Sequence, residues 1–331
     1  MPFLHVVRRV AGAIALFWLV VTLIFGLVRL APGDPVTLLV PPTASAADAA
    51  RMRLELGLDR PVSVQYARWA SALLRGEMGE SFELRVPVAT ALRDAAPVSL
   101  LLGLVSLLLS FAIGVPLGFA QAAWRARWPD RAATMVTAGL FAAPAFWVAL
   151  ALVAVFTYGA AVVGLPMAWR LPALGVRSPG LDLSGPAATA DLLRHAVLPV
   201  VTLVIVGAAG VARYARSNAL DVISHDFIRA ARARGASPWR VFARHVVPNA
   251  LPALLVLFAL TIPGVVAGTV FVESVFAWPG LGRLTLAAIA ARDYPVVLGA
   301  GAWYAAAVIG ANLLADLAIP LVDPRRLSAA S

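Results

Sequence analysis

The side chains that could catalyse a reaction or hold a metal are few and widely spaced in this sequence of 331 residues. It contains no cysteine, which excludes disulfides, thiolate nucleophiles and cysteine-based metal sites. All 27 basic residues are arginine. Because lysine is absent, a Walker A nucleotide-binding motif and Schiff-base chemistry are also excluded. If the protein uses ATP, another chain must bind it.

The remaining candidates for chemistry are also weak. The four histidines are scattered along the chain (His5, His195, His225 and His245). No pair of them has the spacing of zinc ligands beside a carboxylate. The G-x-S-x-G motif of serine hydrolases is missing, and Ser106 and Ser110, one turn apart, suit helix packing better than nucleophilic attack. We therefore expect no catalytic residue, metal or cofactor on this chain, and no enzymatic activity of its own.

One acid, Asp316, lies well inside an apolar stretch, and Asn312 precedes it by one helical turn. A carboxylate inside a membrane is a functional candidate, and proton coupling there would make the chain an ion-driven secondary transporter that works alone. The alternative is a polar contact between helices or subunits. We favour this polar contact because a single acid makes a poor proton relay.

Most of the chain consists of apolar stretches: 61% of the residues are hydrophobic and 13% are charged. Soluble domains carry roughly 25% charged residues. A bilayer-spanning helix needs roughly 20 apolar residues. Six stretches of about that length or more lack Asp, Glu and Arg: 10–28, 95–124, 132–169, 196–212, 246–272 and 294–315. Because backbone groups in lipid must be satisfied within the chain, we predict an all-α integral membrane protein with six transmembrane helices. The first stretch is too long for a typical signal peptide, so we expect an uncleaved span.

The arginines predict the orientation. With the N-terminus in the cytoplasm, the cytoplasmic segments would be 1–9, 125–131, 213–245 and 323–331. These hold 14 arginines against four acids, whereas the segments on the other side hold 13 arginines against 12 acids. The positive-inside rule therefore places both termini in the cytoplasm. This distribution also accounts for the net charge of +10 without a nucleic-acid partner.

The predicted topology divides the chain into three parts. Residues 1–30 form the cytoplasmic N-terminus and first span, 31–94 an extracytoplasmic insert, and 95–331 a core with a cytoplasmic loop at 213–250. The insert is nearly neutral, with eight acids and seven arginines. Its aromatic residues Tyr66, Trp69 and Phe82 indicate a small packed unit, or a cap that only stabilises the first two spans.

The stretch FIRAARARGASPWRVFARHVVPNALP, residues 227–252, carries five arginines between two apolar stretches. The pattern predicts a helix over 221–234, with Ile223, Phe227, Ala230 and Ala231 near one face. Gly235 suits a left-handed helix cap. Ser237 then suits an N-cap, and Pro238 the first position of a second helix.

The second short helix is predicted to carry an apolar stripe of Trp239, Phe242 and Val246, with Arg240 and Arg244 pointing elsewhere. Two basic amphipathic helices joined by a tight bend suit a bilayer surface or a partner protein. These residues alone favour neither alternative.

Residues at the fifth predicted span are candidates for lining or gating a pathway. Pro263, Gly264 and Gly268 permit kinks and close helix approach, although ordinary packing explains them nearly as well. Glu273 ends the span, where it could form a gate or contact a delivered substrate. The alternative for Glu273 is a solvated helix end.

Several motifs resemble the permease subunits of bacterial ABC importers, in particular the first permease of the dipeptide, oligopeptide and nickel family. The segment 226–252 resembles the EAA loop of these permeases. Further motifs in family order are LVRLAPGDP (27–35), LGLDRPVSVQY (56–66), RGEMGESF (75–82), VFVESVFAWPGLGRL (270–284), RDYPVV (292–297), NLLADL (312–317) and DPRR (323–326). Each is weak alone, but together they cover nearly the whole chain.

The resemblance implies a function and a set of partners. The helix after Ser237 would be the coupling helix that docks into a cleft on a cytoplasmic ATPase. The residues expected to take part are Arg229, Ala230, Ala231, Gly235, Ser237, Pro238, Trp239 and Phe242. The glutamate of the general EAA pattern is absent, and Arg229 stands near its place, as is usual for the peptide branch.

The implied assembly lies in the bacterial inner membrane. It would comprise a second homologous permease, two ATP-binding subunits that hold ATP and Mg²⁺, and an extracytoplasmic solute-binding protein. Each permease would form half of the pathway in contact with lipid. Peptides are the expected cargo, and nickel or another small solute is the alternative.

Overall fold

The structure, a computed structural model, describes residues 3–30, 36, 45–166, 169–267 and 269–322. These residues fold into helices that we number in chain order: α1 Phe3–Leu30, α2 Ala46–Glu55, α3 Val62–Leu74, α4 Val88–Ala123, α5 Trp128–Ala142, α6 Ala145–Val162, α7 Gly185–Ile223, α8 Asp226–Ala233, α9 Pro238–Val241 continued by Val247–Ala267, α10 Val270–Val275, α11 Leu281–Ala290 and α12 Tyr294–Val322. Among the described residues, β pairing is confined to one bridge between Glu80 and Pro87.

Six helices are long and apolar enough to cross a membrane: α1, α4, α6, α7, α9 and α12. The prediction of an all-α protein with six candidate spans is therefore confirmed. Helices α4 and α7 contain 36 and 39 residues. At 1.5 Å per residue they are about 54 and 58 Å long, well beyond a ~30 Å hydrocarbon core, so both must extend outside it.

The third apolar stretch, predicted as one span over 132–169, is instead divided between α5 and α6. Ala143 adopts an extended conformation with ψ 131°, and Pro144 caps the start of α6. A proline disfavours helical geometry in the preceding residue and lacks an amide hydrogen, which accounts for the break. A π-helical turn, Ala154–Gly159, follows within α6.

The chain separates into two compact units, one of which comprises residues 100–278 and 314–331. In this unit α4 packs closely against α7. A methyl group added at Gly114 would lie 2.7 Å from the Val211 Cβ, and one added at Gly118 would lie 2.7 Å from the Ala215 Cβ. Only glycine permits this approach of the two backbones.

The other unit comprises residues 1–99 and 279–313. Its core joins the start of α4 (Val88, Leu92) to α11 and α12 (Leu281, Val296). The insert's aromatic residues pack on α1: the Phe25 ring lies 5.3 Å from Tyr66 and 5.4 Å from Trp69. The proposed division at residues 30 and 94 follows topology, a different criterion from compactness, and stays a prediction.

Candidate functional site

The chain bends sharply between α8 and α9. Gly235 has φ +82°, in the left-handed region that glycine adopts without strain. The Ser237 side chain accepts a hydrogen bond from the Arg240 amide at 3.4 Å, and Pro238 begins the helix. The predicted cap, N-cap and first helical residue are confirmed. We call residues 225–246 the bent segment.

One face of the bent segment is buried. Ile228 and Ala231 of α8 and Val241 and Val246 of α9 are at most 2% exposed. They pack on residues from the ends of α4 and α7, namely Phe119, Ala122, Ala215, Ala219 and Val222. The segment is therefore seated on the membrane helices of its own chain.

The first helix of the bent segment differs from the prediction. The helix expected over 221–234 begins at Asp226, because Asp221 belongs to the last turn of α7. Its buried face holds Ile228 and Ala231, while Phe227 is 42% exposed. The predicted face was therefore rotated by about one residue.

The predicted stripe of Trp239, Phe242 and Val246 is wrong. Trp239 is 74% exposed, whereas Val246 is 1% exposed. The cause is a π-helical turn over Phe242–Val246, since its wider winding shifts the residues after it to another face. Phe242 is half-buried, and its ring meets Phe119 edge-on at 6.3 Å.

The outward face of the bent segment is basic and carries aromatic side chains. All five of its arginines are exposed: Arg229, Arg232, Arg234, Arg240 and Arg244. Arg229 pairs with Asp226 on the same helix. Trp239 stands among them as a large exposed apolar side chain. Exposed tryptophan and arginine are the residue types most often found at the energetic centre of protein interfaces.

A cleft of about 440 Å³ lies beside this face. Its walls include Trp124 and Arg125 after α4, Arg232 of α8, and Trp239 and Phe242 of α9. The cleft therefore offers two tryptophans and two arginines to whatever covers the bent segment.

The structure divides the eight residues proposed for ATPase coupling into two groups. Six are exposed: Arg229, Ala230, Gly235, Ser237, Pro238 and Trp239. Ala231 is buried and Phe242 half-buried, so both pack the segment onto its own chain. The buried Ile228 and Val241 were not singled out from the sequence.

The pathway candidates do not form one cluster that the structure describes. Gly268 lies outside the described residues. Pro263 is buried within α9, and Gly264 has no atom within 4 Å of an added methyl position. Glu273 is fully buried, so it is not a solvated helix end. A pathway role for these residues stays a prediction.

Asn312 and Asp316 both lie on α12 and are exposed on the surface of the chain. The preference for a polar contact of Asp316 between helices or subunits over a proton relay stays a prediction. Where the structure describes the chain, no three His, Asp or Glu side chains gather as metal ligands would. The expected absence of a metal stays a prediction.

Two polar contacts were missed from the sequence because each joins distant residues. Asp130 is bound by Arg216, 86 residues later. Ser81 donates to Asp293, 212 residues later, at 2.5 Å. The second contact joins the motifs RGEMGESF and RDYPVV. The sequence indicated it only in that the chain carries both of these family motifs.

Nearly the whole chain matches one type of transport component. Residues 114–328 match the family described as binding-protein-dependent transport system inner membrane component, and residues 2–103 match the N-terminal part of the same type of component. A protein of Brucella ovis whose name assigns it to peptide permeases is 37% identical over 92% of both chains.

Two further relatives match over almost the whole length. The oligopeptide transport system permease protein AppB of Bacillus subtilis is 34% identical, over 97% of this chain and 98% of the relative. The glutathione transport system permease protein GsiC of Salmonella paratyphi A is 33% identical over 97% of both chains. With six candidate spans and a profile match over most of its length, the chain belongs to the family of inner-membrane components of binding-protein-dependent transport systems, the permease subunits of ABC importers.

Proposed function

We propose that this permease imports peptides, and that the bent segment transmits the movement of partner ATPases to the membrane helices. As a permease subunit the chain is not itself catalytic, so we assign ATP hydrolysis and the bound Mg²⁺ to those partners. The observation that carries the proposal is a basic, tryptophan-bearing outer face backed by a buried face seated on α4 and α7.

The names of the relatives support peptides as the cargo. Relatives at 33–37% identity over at least 92% of the chain are named for transport of peptides, oligopeptides or glutathione, which is itself a tripeptide. Nickel or another small solute is the second candidate, on the earlier resemblance alone. Selectivity in such systems depends in part on the solute-binding protein that delivers the cargo, so a different binding protein could supply a different solute.

The geometry of the bent segment suits a mechanical connection. Trp239 would enter the cleft of an ATPase, and the surrounding arginines would form a polar rim. Because α9 continues from Pro238 through the π-helical turn to Ala267, a push on its first turn acts directly on a membrane span. ATP binding would thereby switch the pathway from inward-open to outward-open.

The proposal implies three kinds of protein partner, surrounding lipid and an orientation in the membrane. A second homologous permease would complete the pathway, two ATPases would bind on the cytoplasmic side, and a solute-binding protein would dock on the other side. Both termini and the bent segment would lie in the cytoplasm, as the excess of arginine there favours. Lipid would surround the assembly.

The experiment is uptake of a labelled oligopeptide into proteoliposomes that contain the complete transporter, with the binding protein on the delivering side. We expect uptake to require ATP and to be lost in Trp239→Asp together with ATPase binding. A tryptophan at an interface centre contributes about 2 kcal/mol or more, roughly a thirtyfold change in affinity. Trp169→Asp is the matched control, because Trp169 is equally exposed, at 76%, but lies outside the bent segment.

Parallel proteoliposomes with and without the partner subunits separate the proposal from an ion-driven transporter. An ABC permease predicts no uptake without the ATPases, and substantial ATP-driven uptake by Asp316→Asn. Uptake by the wild-type chain alone under a pH gradient, abolished by Asp316→Asn, would contradict the proposal.

A further inference from the structure

Asp130 forms a dense polar contact near the bent segment. Its carboxylate is 2% exposed and accepts two hydrogen bonds from Arg216, from Nε to Oδ1 and from Nη2 to Oδ2, both at 2.9 Å. The Ala126 amide and the Thr134 hydroxyl donate to the same carboxylate at 3.1 Å. A bidentate arginine–carboxylate pair fixes direction as well as distance. The contact therefore joins the start of α5 to α7 in a single defined geometry.

The position of Arg216 on α7 places this contact beside the bent segment. Its neighbours Ala215 and Ala219 form the seat on which the bent segment packs. The same two turns of α7 thus hold the bent segment through apolar contacts and α5 through the ion pair. If these turns of α7 are displaced, the start of α5 must move with them unless the ion pair breaks.

Helices α4, α5 and α7 have further contacts that leave little freedom for sliding. The close approach of α4 to α7 at Gly114 and Gly118 leaves no space for a side chain. Farther along α5, the Arg213 guanidinium lies 4.7 Å from the Phe141 ring centroid. Helix α5 therefore packs along α7, and the Asp130–Arg216 ion pair is its contact beside the bent segment.

Accepting the proposed docking of ATPases on the bent segment, we propose that Asp130 and Arg216 form a coupling strut. The two residues make the start of α5 move together with α7 when the bent segment is displaced. Neither residue touches the ATPase or the cargo in this mechanism, so both are positioning residues. Loss of the strut leaves ATP hydrolysis in place but separates it from transport.

The test measures oligopeptide uptake and ATP hydrolysis in the same proteoliposomes, and ATPase recovery from the same preparation. Asp130→Asn retains the size of the side chain and removes its charge. We expect normal ATPase recovery and at least about fivefold less peptide transported per ATP, the lower range of coupling between sites. Asp130→Glu, which retains the charge, should recover most of the ratio. Asp221→Asn is the control, since Asp221 is exposed near the end of α7, outside the strut.

A second variant keeps the test possible if Asp130→Asn does not assemble into the transporter. Asp130→Asn combined with Arg216→Gln removes both charges and leaves none uncompensated in the interior, and the same loss of ratio is expected. An unchanged ratio in an assembled variant that still binds the ATPase would overturn the strut alone. Absence of the ATPase from the wild-type preparation would overturn the proposed docking and the strut with it.

Discussion

Gly235 sets the angle between α8 and α9 through its backbone alone. No atom lies within 4 Å of a methyl group added at Gly235, so the site has room for a side chain. Its φ of +82°, however, is unfavourable for any residue other than glycine. A β-branched residue there should strain the bend by about 1–2 kcal/mol or more. We expect Gly235→Val to reduce ATPase recovery in pull-down experiments without preventing membrane insertion.

Gly164 provides a matched control for this variant. It also has a left-handed backbone, φ +75°, and equally open surroundings, but lies outside the bent segment. Gly164→Val introduces similar strain and should leave ATPase recovery unchanged. Equal losses in both variants would show that strain in general, and not the angle of the bend, is responsible.

The charge of Asp130 predicts a dependence of stability on pH. Hydrogen bonds from Arg216 hold the pKa of the Asp130 carboxyl below its ordinary value, although burial opposes this effect. A carboxyl whose pKa is lower in the folded state stabilises the fold above its unfolded pKa, about 3.9. This contribution is lost as the pH falls from there through the folded pKa.

We therefore expect the melting temperature of the purified permease to fall more steeply below about pH 4 in the wild type than in Asp130→Asn. The measurement is thermal unfolding in detergent across that range. Parallel curves for the two proteins would contradict the assigned cause.

Local chemistry determines which residues were predictable. Gly235, Ser237 and Pro238 follow rules that act within a few residues of a helix end, and all three were assigned correctly. Asp130 and Arg216 meet only after α5 and α7 have packed together. No spacing in a single sequence specifies such a pair, so from the sequence Asp130 counted only as one of the four acids in the predicted cytoplasmic segments.

At the scale of helices, the apolar stretches predicted that a membrane helix exists better than they predicted where it begins and ends. The fourth stretch, 196–212, is the centre of a 39-residue helix whose polar ends carry no apolar signal. The short helix predicted after Ser237 was expected as a separate element, but it is the first turn of α9. The π-helical turn that joins the two parts and turns Val246 inward has no recognised sequence signal.

The contact between Ser81 and Asp293 predicts a stability effect in the other compact unit. Both residues are at most 2% exposed. The Ser81 hydroxyl donates to Asp293 and accepts from the Leu84 amide at 2.9 Å, so one hydroxyl ties the loop before α4 to the start of α12. Removing it takes a hydrogen bond from the charged, buried Asp293 carboxylate, which keeps the Glu83 amide at 3.2 Å, and from the Leu84 amide.

We expect Ser81→Ala to destabilise the permease by about 1–3 kcal/mol, measured as a lower melting temperature in detergent. Ser71→Ala is the control, because the exposed Ser71 hydroxyl bonds only to the Arg68 carbonyl three residues before it. Similar melting temperatures for Ser81→Ala and the wild type would show that the contact contributes little.

For the whole molecule, the proposed orientation rests on the arginine distribution, and two contacts within the unit of residues 100–278 bear on the order of the spans. Asp130 meets Arg216, which puts segments 125–131 and 213–245 on one side, as predicted. The Gly175 amide donates to the Phe276 carbonyl at 2.8 Å, which puts the loop after α6 beside the end of α10. Both agree with the six-span order.

Labelling of Ser71→Cys tests this orientation, since the chain has no cysteine of its own. Ser71 is exposed on α3, which packs on the first span through Trp69. A membrane-impermeant maleimide should label it in intact spheroplasts. Labelling only after lysis would invert the topology and place the bent segment outside the cell.

The central claim is that Trp239 lies against an ATPase subunit in the working transporter. The direct measurement is photo-cross-linking from a cysteine-attached probe at Trp239→Cys in the assembled complex, with Trp169→Cys as the matched exposed position. We predict a cross-link to the ATPase from position 239, sensitive to the nucleotide present, and none from position 169. A complex that imports peptide but gives no ATPase cross-link from position 239, or an equal one from position 169, would contradict the claim.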